Sequence, residues 1–393
     1  MRKGETNDCR ILPSEIIADV LSRLPVKPLC RFKCVSPSWN SLISSPHFSK
    51  THLNRTQTNN PKHLLHSILL VLRSSLQDLY SVYLTAADLV PVTDKLDFPL
   101  LREPEYKWIT VLNSCNGLVL VSDGGNSHLF LLNPATRECK KLPTPPLIPD
   151  PVRGYYNYAY GVGYDSSKDD YKVVKLSYIE SESESESEFE YSTLTSNIIF
   201  VCVYSLETNA WRRIQDTHYV LDGTSSGTNC KGRLHWLCWR AGSHLMAAFD
   251  WADEIFREVP LPASFVHCDQ LVYLDVVIIK DCLCLAYKQG SDPVEVWMMK
   301  EYGVKASWTK ILIDTHDMCL QGLLAEDEFL LMGNVIQTYE DKLIVYNPKK
   351  ETLRDIVVHG IPAAFLTWGT YVESLVSPNQ CSHGGGIGKQ GYS

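Results

Sequence analysis

The sequence predicts an α+β protein of several domains, in which a small three-helix domain precedes an all-β domain built as a six-bladed propeller. Apolar residues recur at helical spacing near the start of the chain. From residue 63 onward, short runs of Val, Ile, Leu, Tyr and Trp alternate with Asn, Gly, Pro and Asp, which is typical of strands and turns. Several of these runs recur about every 50 residues, which indicates repeated units.

The first of three short helices is predicted to begin close to Leu12. Pro13, Ser14 and Glu15 favour a helix start, because they supply a fixed φ, a capping hydroxyl and a negative charge in the first turn. Pro25 ends this helix, since proline has no backbone N–H to donate. The apolar face of the helix comprises Ile16, Ile17, Val20, Leu21 and Leu24.

Two further helices complete the small domain. One is predicted from Pro28 to Cys34, and the other begins at Pro37 after a cap by Ser36 and ends before Pro46. A unit of this size has too much surface to enclose all its apolar groups. An apolar face that is left over is typical of docking against the helices of a partner, so we expect this domain to bind another protein.

The β-rich part is predicted to follow a linker at residues 54–62. Apolar runs lead into turns at Tyr83, Asn133, Ser205, Asp250, Lys300 and Asn347. The last four positions are 45, 50 and 47 residues apart, Tyr83 lies 50 residues before Asn133, and the longer step to Ser205 contains an insertion. Six units at this period indicate a propeller with one four-stranded blade per repeat. An irregular β-sandwich with accidental spacing is the alternative.

Two further signals support the propeller. Asn116-Gly117 and Lys231-Gly232 each place a glycine at a turn that feeds a strand. A circular array that stayed open would expose two strand edges. We therefore expect residues 371–376 to pair beside a strand at residues 66–71 and close the ring.

Three segments are predicted to be flexible. They are the polar residues 1–10, an acidic insertion at residues 179–192 in which Ser alternates with Glu, and the Gly-rich tail at residues 377–393. Adjacent carboxylates in the insertion repel each other and have nothing apolar to bury, so a solvated loop is favoured over a strand.

Charge and composition exclude several classes of protein. A net charge of −8 argues against a nucleic-acid partner held through phosphates. We expect no signal peptide and no membrane span, since no apolar run is long enough. The 13 cysteines are odd in number and several lie within apolar runs, which favours free thiols in the cytoplasm or nucleus.

The helical region resembles the F-box of plant F-box proteins, which reads LP-x-E/D, then R-L-P-V-K-x-L, R-F-K-C-V-S and W-x-x-L-I. The matching residues here are Leu12-Pro13, Glu15, Arg23-Leu24-Pro25-Val26-Lys27, Leu29, Arg31-Phe32-Lys33-Cys34-Val35-Ser36, Trp39 and Leu42-Ile43. The chain departs from the pattern at Pro28 and Pro37, but both lie at helix starts, where proline is tolerated. The resemblance implies an F-box at residues 11–53 that binds a Skp-type adaptor.

The resemblance also assigns the adaptor-binding residues. They are Leu12, Pro13, Ile16, Ile17, Val20, Leu24, Pro25, Val26, Leu29, Phe32, Val35, Trp39 and Ile43. Within this set, Phe32, Trp39 and Ile43 are expected to combine docking with the packing of the small domain itself.

Residues 63–376 resemble the F-box-associated, kelch-like domain of the same family. The phrases that match are Ser114-Cys115-Asn116-Gly117-Leu118, Leu132-Asn133-Pro134-Ala135-Thr136-Arg137, Gly161-Val162-Gly163-Tyr164-Asp165, Asp170-Tyr171-Lys172-Val173-Val174 and Trp297-Met298-Met299-Lys300-Glu301-Tyr302-Gly303-Val304. They occur in this order behind the F-box, and together they imply a kelch-like propeller.

The sequence offers no convincing catalytic, cofactor or metal site. Cys282 and Cys284 fall on one face of a strand, and core packing explains them better than a zinc site does. His235 and His218 have no nucleophile near them in sequence, so each is predicted to be a strand or loop residue rather than a base. The chain also lacks a nucleophile elbow and a phosphate-binding loop.

The resemblance implies a substrate-recognition subunit of a Skp-cullin-F-box ubiquitin ligase. Such a subunit is not an enzyme, needs no cofactor, and recruits a target protein for ubiquitination and proteasomal degradation. One alternative is an F-box scaffold with no degradative role. A less favoured alternative is a kelch-type propeller enzyme, which would need metal ligands that converge on one face.

Overall fold

The computed structural model describes most of the helical domain and the strands of the β-rich part. The described residues are 12–59, 67–72, 75–83, 92–103, 106, 108–123, 128–146, 155–180, 199–221, 227–240, 243–263, 265, 271–290, 294–313, 318–325, 328–335, 340–347, 350, 352–356 and 365–379. Residues 1–10, residues 181–192 of the acidic insertion and residues 380–393 of the tail lie outside them, so the predicted flexibility of these parts is not tested. The insertion was predicted to begin at Ile179, but the preceding strand continues through Glu180. The tail was predicted to begin at Ser377, but Pro378 is buried.

The described N-terminal region contains four helices, not three. They are α1 (Ser14–Leu21), α2 (Val26–Phe32), α3 (Pro37–Ile43) and α4 (Pro46–Asn59). The prediction of a linker from residue 54 is wrong as far as Asn59, because α4 continues through it. Pro46 both follows the end of α3 and starts α4, where Ser45 Oγ accepts a hydrogen bond from the Phe48 amide at 3.2 Å.

The predicted helix starts are confirmed only in part. In α1 the hydroxyl of Ser14 does not cap the helix, since Ser14 is its first residue and its Oγ donates to the Glu15 carboxylate. Ser36 caps α3 as predicted, since its Oγ accepts a hydrogen bond from the Trp39 amide at 3.2 Å. The α2 helix begins at Val26, two residues before the predicted Pro28. Pro28 is tolerated there because the first turn of a helix has no internal partner for its N–H groups.

The β-rich part contains 25 described strands that form six sheets. In order of hydrogen-bonded neighbours, the first sheet has β25 (Phe365–Tyr371), β1 (Ser67–Leu72), β2 (Ser75–Tyr83) and β3 (Val92–Leu96). The second sheet has β4 (Ile109–Cys115), β5 (Leu118–Asp123), β6 (Leu129–Asn133) and β7 (Glu138–Lys141). The third sheet has β8 (Tyr155–Asp165), β9 (Asp170–Glu180), β10 (Phe200–Ser205) and β11 (Ala210–Arg213).

The fourth sheet is the only five-stranded one among the described strands. It has β12 (Val220–Leu221), β13 (Thr228–Cys230), β14 (Arg233–Arg240), β15 (Ser243–Asp250) and β16 (Phe256–Val259), and both β12 and β13 pair with β14. The fifth sheet has β17 (Leu271–Ile279), β18 (Cys282–Gln289), β19 (Val294–Met299) and β20 (Trp308–Ile313). The sixth has β21 (Met318–Ala325), β22 (Glu328–Val335), β23 (Glu340–Asn347) and β24 (Thr352–Ile356).

The first sheet combines the two ends of the β-rich part. The last strand, β25, pairs antiparallel with β1, with Tyr371 opposite Ser67 and Trp368 opposite Leu70. Closure by the C-terminal strand is thus confirmed, but the strand is Phe365–Tyr371 rather than residues 371–376. Residues 372–377 leave the sheet and run toward the helices.

The repeat anchors all mark the same place in a sheet. Tyr83, Asn133, Ser205, Asp250 and Asn347 are the last residues of third strands, and Lys300 follows the third strand of the fifth sheet. The predicted glycine turns join first to second strands of a sheet. Asn116 and Gly117 have φ values of 51° and 88°, and Lys231 and Gly232 have 49° and 71°, as in tight two-residue hairpins.

The apolar core lies between neighbouring sheets. One buried cluster joins the second and third sheets, and it includes Leu118, Leu131, Tyr160 and Tyr204. Another joins the third and fourth sheets through Val174, Val203, Trp236 and Phe249. Side chains from both faces of most sheets therefore contribute to the core.

Candidate functional site

The four helices share one small core. Its buried members are Leu21 at the end of α1, Val26 and Leu29 in α2, Ile43 in α3, Phe48 in α4, and Leu375 from beyond the last strand. Phe32 and Trp39 pack at its edge, with their ring centroids 5.7 Å apart in an edge-to-face arrangement. The core is thus built from every helix and from a distant part of the chain.

A row of apolar side chains faces outward on the opposite side of α1. Leu12, Ile16 and Val20 are 59%, 48% and 52% exposed. They are four residues apart, and Ile16 and Val20 therefore share one helical face, with Leu12 just before its first turn. We call these three residues the apolar ridge. An exposed apolar row on a helix is typical of a docking surface.

The predicted adaptor-binding residues divide into three groups by exposure. Leu12, Pro13, Ile16, Val20, Pro25 and Val35 are exposed. Ile17, Leu24, Phe32 and Trp39 are partly buried. Val26, Leu29 and Ile43 are at most 1% exposed and pack inside the domain. This agrees with the packing role expected of Ile43, whereas Val26 and Leu29 were expected at the docking surface and are instead core residues.

Polar contacts hold α1 in place from α4. Arg55 donates to an Asp19 carboxylate oxygen at 2.7 Å, to the Asp19 carbonyl at 3.1 Å, and to Ser22 Oγ. Hydrogen bonds from Arg55 and then Arg23 hold the pKa of Asp19 below its usual value. His52 Nε2 lies 2.8 Å from the Leu24 carbonyl, and burial lowers the pKa of this histidine. The ridge helix is therefore fixed on its inner side.

The helical domain sits on the end of the β-rich part where first strands turn into second strands and third strands turn into fourth strands. Lys50 Nζ lies 3.0 Å from Asp169 in the β8–β9 turn. Gln57 donates to Asn116 in the β4–β5 turn at 3.2 Å. Leu53 is buried with residues of the second and third sheets. A cavity of about 180 Å³ lies along this junction and is lined by α4, three of the turns and Val376.

Residues 372–377, which we call the strap, lie between the helices and the sheets. The Leu375 side chain enters the helical core, whereas Val376 is buried with the second and third sheets. Ser49 Oγ donates to the Leu375 carbonyl at 3.2 Å. Asn133 Nδ2 lies 3.0 Å from the Ser374 carbonyl and 2.6 Å from the Val376 carbonyl. Sequence reasoning missed this contact because it treated the segment as a strand.

Three of the four residues considered for chemistry, His235, Cys282 and Cys284, pack in the interior of the β-rich part. His235 is buried, with Nε2 2.7 Å from the Tyr302 hydroxyl and Nδ1 3.1 Å from the Thr228 carbonyl, and burial lowers its pKa to about 4. Burial raises the pKa of the Cys284 thiol, and both Cys284 and Cys282 pack in the fifth sheet's core. His218 is exposed. Within the described residues, no three His, Cys, Asp or Glu side chains are grouped as a metal ion would need.

None of the described helices has both the length and the apolar composition that a membrane-spanning segment requires. The longest of the four, α4, has 14 residues and is polar along most of its length.

Fold and surface together define a class: a helical docking domain mounted on a β-propeller. Residues 70–378 match the family model described as the F-box associated beta propeller domain. Residues 10–51 match the F-box domain. The chain belongs to the F-box proteins that carry an F-box-associated β-propeller domain.

Curated relatives from Arabidopsis thaliana agree with this assignment. The F-box protein CPR1 is 34% identical over 76% of this chain and 72% of its own length. The F-box/kelch-repeat protein At3g23880 is 30% identical over 94% of this chain and 96% of its own length. The F-box protein At3g07870 is 27% identical over 91% and 89%. The chain thus matches such proteins across both domains.

Proposed function

We propose that this protein is the substrate-recognition subunit of a Skp-cullin-F-box ubiquitin ligase that marks a target protein for degradation. The observation that carries the proposal is the apolar ridge. Leu12, Ile16 and Val20 stay exposed although the rest of the domain has a well-packed core and is seated on the propeller. The family's F-box binds a Skp-type adaptor, and an exposed apolar helix face fits the helices of such a partner.

We also propose that each of the six sheets is one blade of a single propeller. Support comes from the antiparallel order within each sheet, from the pairing of β25 with β1, and from the matching positions of the repeat anchors. The helices contact Asn116, Ala135 and Asp169, which lie in turns between first and second or between third and fourth strands. The target is then expected at the opposite end, which carries the connections between blades.

A receptor of this kind accelerates ubiquitin transfer only by bringing the target close to the ubiquitin-loaded enzyme. The adaptor side brings the ubiquitin-loaded enzyme close, and the propeller holds the target near it, which raises the effective concentration of the reacting groups. In this proposal the apolar ridge meets the adaptor and the far end of the propeller meets the target, so that one chain bridges the two.

The ridge is tested by changing Leu12 and Ile16 together to Ala in the full-length chain. Each apolar side chain that docking buries contributes roughly 1.5–3 kcal/mol, so affinity for the adaptor should fall by about a hundredfold or more. Alanine keeps the helix, because it has the highest helix propensity. Binding to immobilised adaptor is the measurement.

The matched control is Val304→Ala with Leu353→Ala, which removes two exposed apolar side chains from the propeller. This control should bind the adaptor like the unchanged chain. Equal binding by the ridge variant and the control would remove the adaptor-docking assignment.

Degradation is tested separately from docking. Target candidates are proteins captured by the full-length chain when the proteasome is blocked. Their half-lives should lengthen when the ridge variant replaces the unchanged protein. If the unchanged protein binds the adaptor but the half-lives of these candidates stay the same with the ridge variant, the non-degradative scaffold would be favoured.

A further inference from the structure

The core of the adaptor-binding domain includes a residue from the far end of the chain. Five of its six buried members come from α1–α4, and the sixth is Leu375, which is 5% exposed. Leu375 follows the closing strand β25 by four residues. The family match for the F-box ends at residue 51, so Leu375 lies outside it.

The strap is held in place by hydrogen bonds on both sides of Leu375. Asn133, itself buried, binds the carbonyl groups on either side of it, those of Ser374 and Val376. The Val376 amide donates to Ser374 Oγ at 3.2 Å, which keeps the strap in a tight turn. Ser49 of α4 binds the Leu375 carbonyl. The backbone around Leu375 is thus held by Asn133 of the propeller and by Ser49 of α4.

The β4–β5 turn is shaped to fit the strap. A Cβ atom at Gly117 would lie 2.2 Å from Ser374 Oγ and 2.8 Å from the Val372 carbonyl oxygen. Gly117 also has a φ of +88°, so no other residue fits this turn without strain. The propeller and the strap are therefore in close contact over several residues.

The helices need this additional packing. The α1, α2 and α3 helices have eight, seven and seven residues, which is too short for a stable helix on its own in water. Their order depends on the shared core, and a Leu375 truncation would leave a cavity in it. The apolar ridge lies on the outer face of α1, whose last residue, Leu21, is in that same core.

We propose that Leu375 is a positioning residue for adaptor docking, so that the F-box presents its ridge correctly only when the propeller has closed and the strap is seated. The inference rests on the proposed adaptor binding. It makes docking depend on the strap at residues 372–377, and a receptor with an open propeller would then dock poorly.

The test uses the full-length chain with Leu375→Ala, and adaptor affinity is measured by surface binding kinetics. We expect a loss of tenfold or more. Leu375→Ile, which restores most of the volume, should bind within about threefold of the unchanged chain. Leu353→Ala, an exposed leucine of β24, is the matched control and should show no change.

Hydrogen exchange separates positioning from general destabilisation. In Leu375→Ala, amide exchange should speed up in α1 and α2, while the strands of the fourth and fifth sheets keep their protection. A general loss of stability would speed exchange in the sheets as well, and that result would overturn the inference.

A second variant ends the chain at Tyr371, which keeps β25 and removes the strap. It should lose adaptor affinity to at least the same extent as Leu375→Ala. If this shortened chain does not fold, the Leu375→Ala result decides alone. Unchanged affinity in Leu375→Ala would overturn the inference but leave the adaptor assignment intact, whereas no binding by the unchanged chain would overturn the proposed function itself.

Discussion

At the scale of single residues, the clearest example of cause and effect is Lys172 in β9, which is 2% exposed. Its ammonium group lies 2.5 Å from Asp165, 2.7 Å from Glu254 and 2.9 Å from the Trp251 carbonyl oxygen. These three acceptors match the three N–H groups of the ammonium. Asp165 belongs to the third sheet, whereas Trp251 and Glu254 follow β15 of the fourth sheet. Lys172 therefore joins the third sheet to the fourth.

Lys172→Met should destabilise the protein strongly at neutral pH. It leaves the carboxylate of Asp165, and part of that of Glu254, buried without their partner, and breaking a buried pair costs about 3–5 kcal/mol. Lys168→Met, at an exposed lysine of the adjacent turn, should change the free energy of unfolding by less than about 0.5 kcal/mol. Urea unfolding at pH 7 measures both.

The effect of Lys172→Met should shrink as the pH falls. Burial raises the pKa values of Asp165 and Glu254, but hydrogen bonds from Lys172 and other neighbours outweigh it, so both end below their usual 3.8 and 4.5. A carboxylate with a lowered pKa in the folded state stabilises above its unfolded pKa, and this is lost as the pH falls through the folded value. The difference in the free energy of unfolding between the unchanged protein and Lys172→Met should therefore become small below about pH 4. A constant difference from pH 7 to pH 3 would contradict the assignment.

Gly163 offers a second prediction at this scale. A Cβ atom there would lie 1.9 Å from the Trp251 ring. Gly163→Ala must displace the indole, and overpacking of this kind costs about 1–3 kcal/mol. Gly232→Asn is the control, because Gly232 faces open space and asparagine tolerates its φ of +71°. Thermal unfolding should separate the two variants; equal melting temperatures would show that Trp251 can move freely.

At the scale of elements, the same hairpin recurs. Asn133–Arg137, Asp165–Asp169, Ser205–Asn209 and Asp250–Glu254 each end on a residue with positive φ. In three of them the first side chain accepts bonds from the amides two and three residues on. This is the local hydrogen bonding for which Asn and Asp are favoured in turns. Because three of these turns begin at the repeat anchors Asn133, Ser205 and Asp250, their recurrence explains why the repeat could be recognised in the sequence.

The β17–β18 turn can be improved. Lys280 and Asp281 have φ values of 52° and 57°, a region that costs an ordinary side chain roughly 1–2 kcal/mol. Replacing them with Asn and Gly, the preferred pair for such a turn, should raise the free energy of unfolding by about 1 kcal/mol. The double change Lys350→Asn with Thr352→Gly, away from this turn, should give no such gain. Urea unfolding would check both.

Structural features that depend on neighbouring residues could be predicted from the sequence, whereas features that depend on contacts between distant residues could not. Ser36 as a cap and the Asn116-Gly117 turn follow from residues within four positions, and both were found. The strap looked like a strand because Val372, Leu375 and Val376 are apolar, but Leu375 and Val376 serve different partners on opposite sides. The division of the predicted docking residues into ridge and core also depends on tertiary packing, since Ile16 and Leu29 are equally apolar in the sequence.

At the scale of the whole molecule, α4 determines how the helical domain sits on the propeller. Its contacts include the ion pair of Lys50 with Asp169, the hydrogen bond from Gln57 to Asn116, and the apolar side chain of Leu53. Both charged groups are at least half exposed, so the ion pair contributes little in water. The apolar contact should dominate.

Leu53→Ala should therefore lower the free energy of unfolding by about 2–5 kcal/mol. Lys50→Ala should lower it by less than about 1 kcal/mol. Calorimetry on the full-length chain distinguishes them, and separate melting of the helices in Leu53→Ala would show directly that this contact joins the two domains. A larger effect for Lys50→Ala would reverse the ranking.

The pairing of the last strand with the first also determines how the protein responds to mechanical force. Pulling on the C-terminus loads the strap first and so withdraws Leu375 from the helical core. The load then reaches β25 at Tyr371, opposite Ser67, and the antiparallel ladder opens one pair at a time toward Phe365. Such an unzipping geometry resists less than shearing of the whole strand would. An unfolding machine that engages the C-terminus thus removes Leu375 from the helical core before it opens the ring.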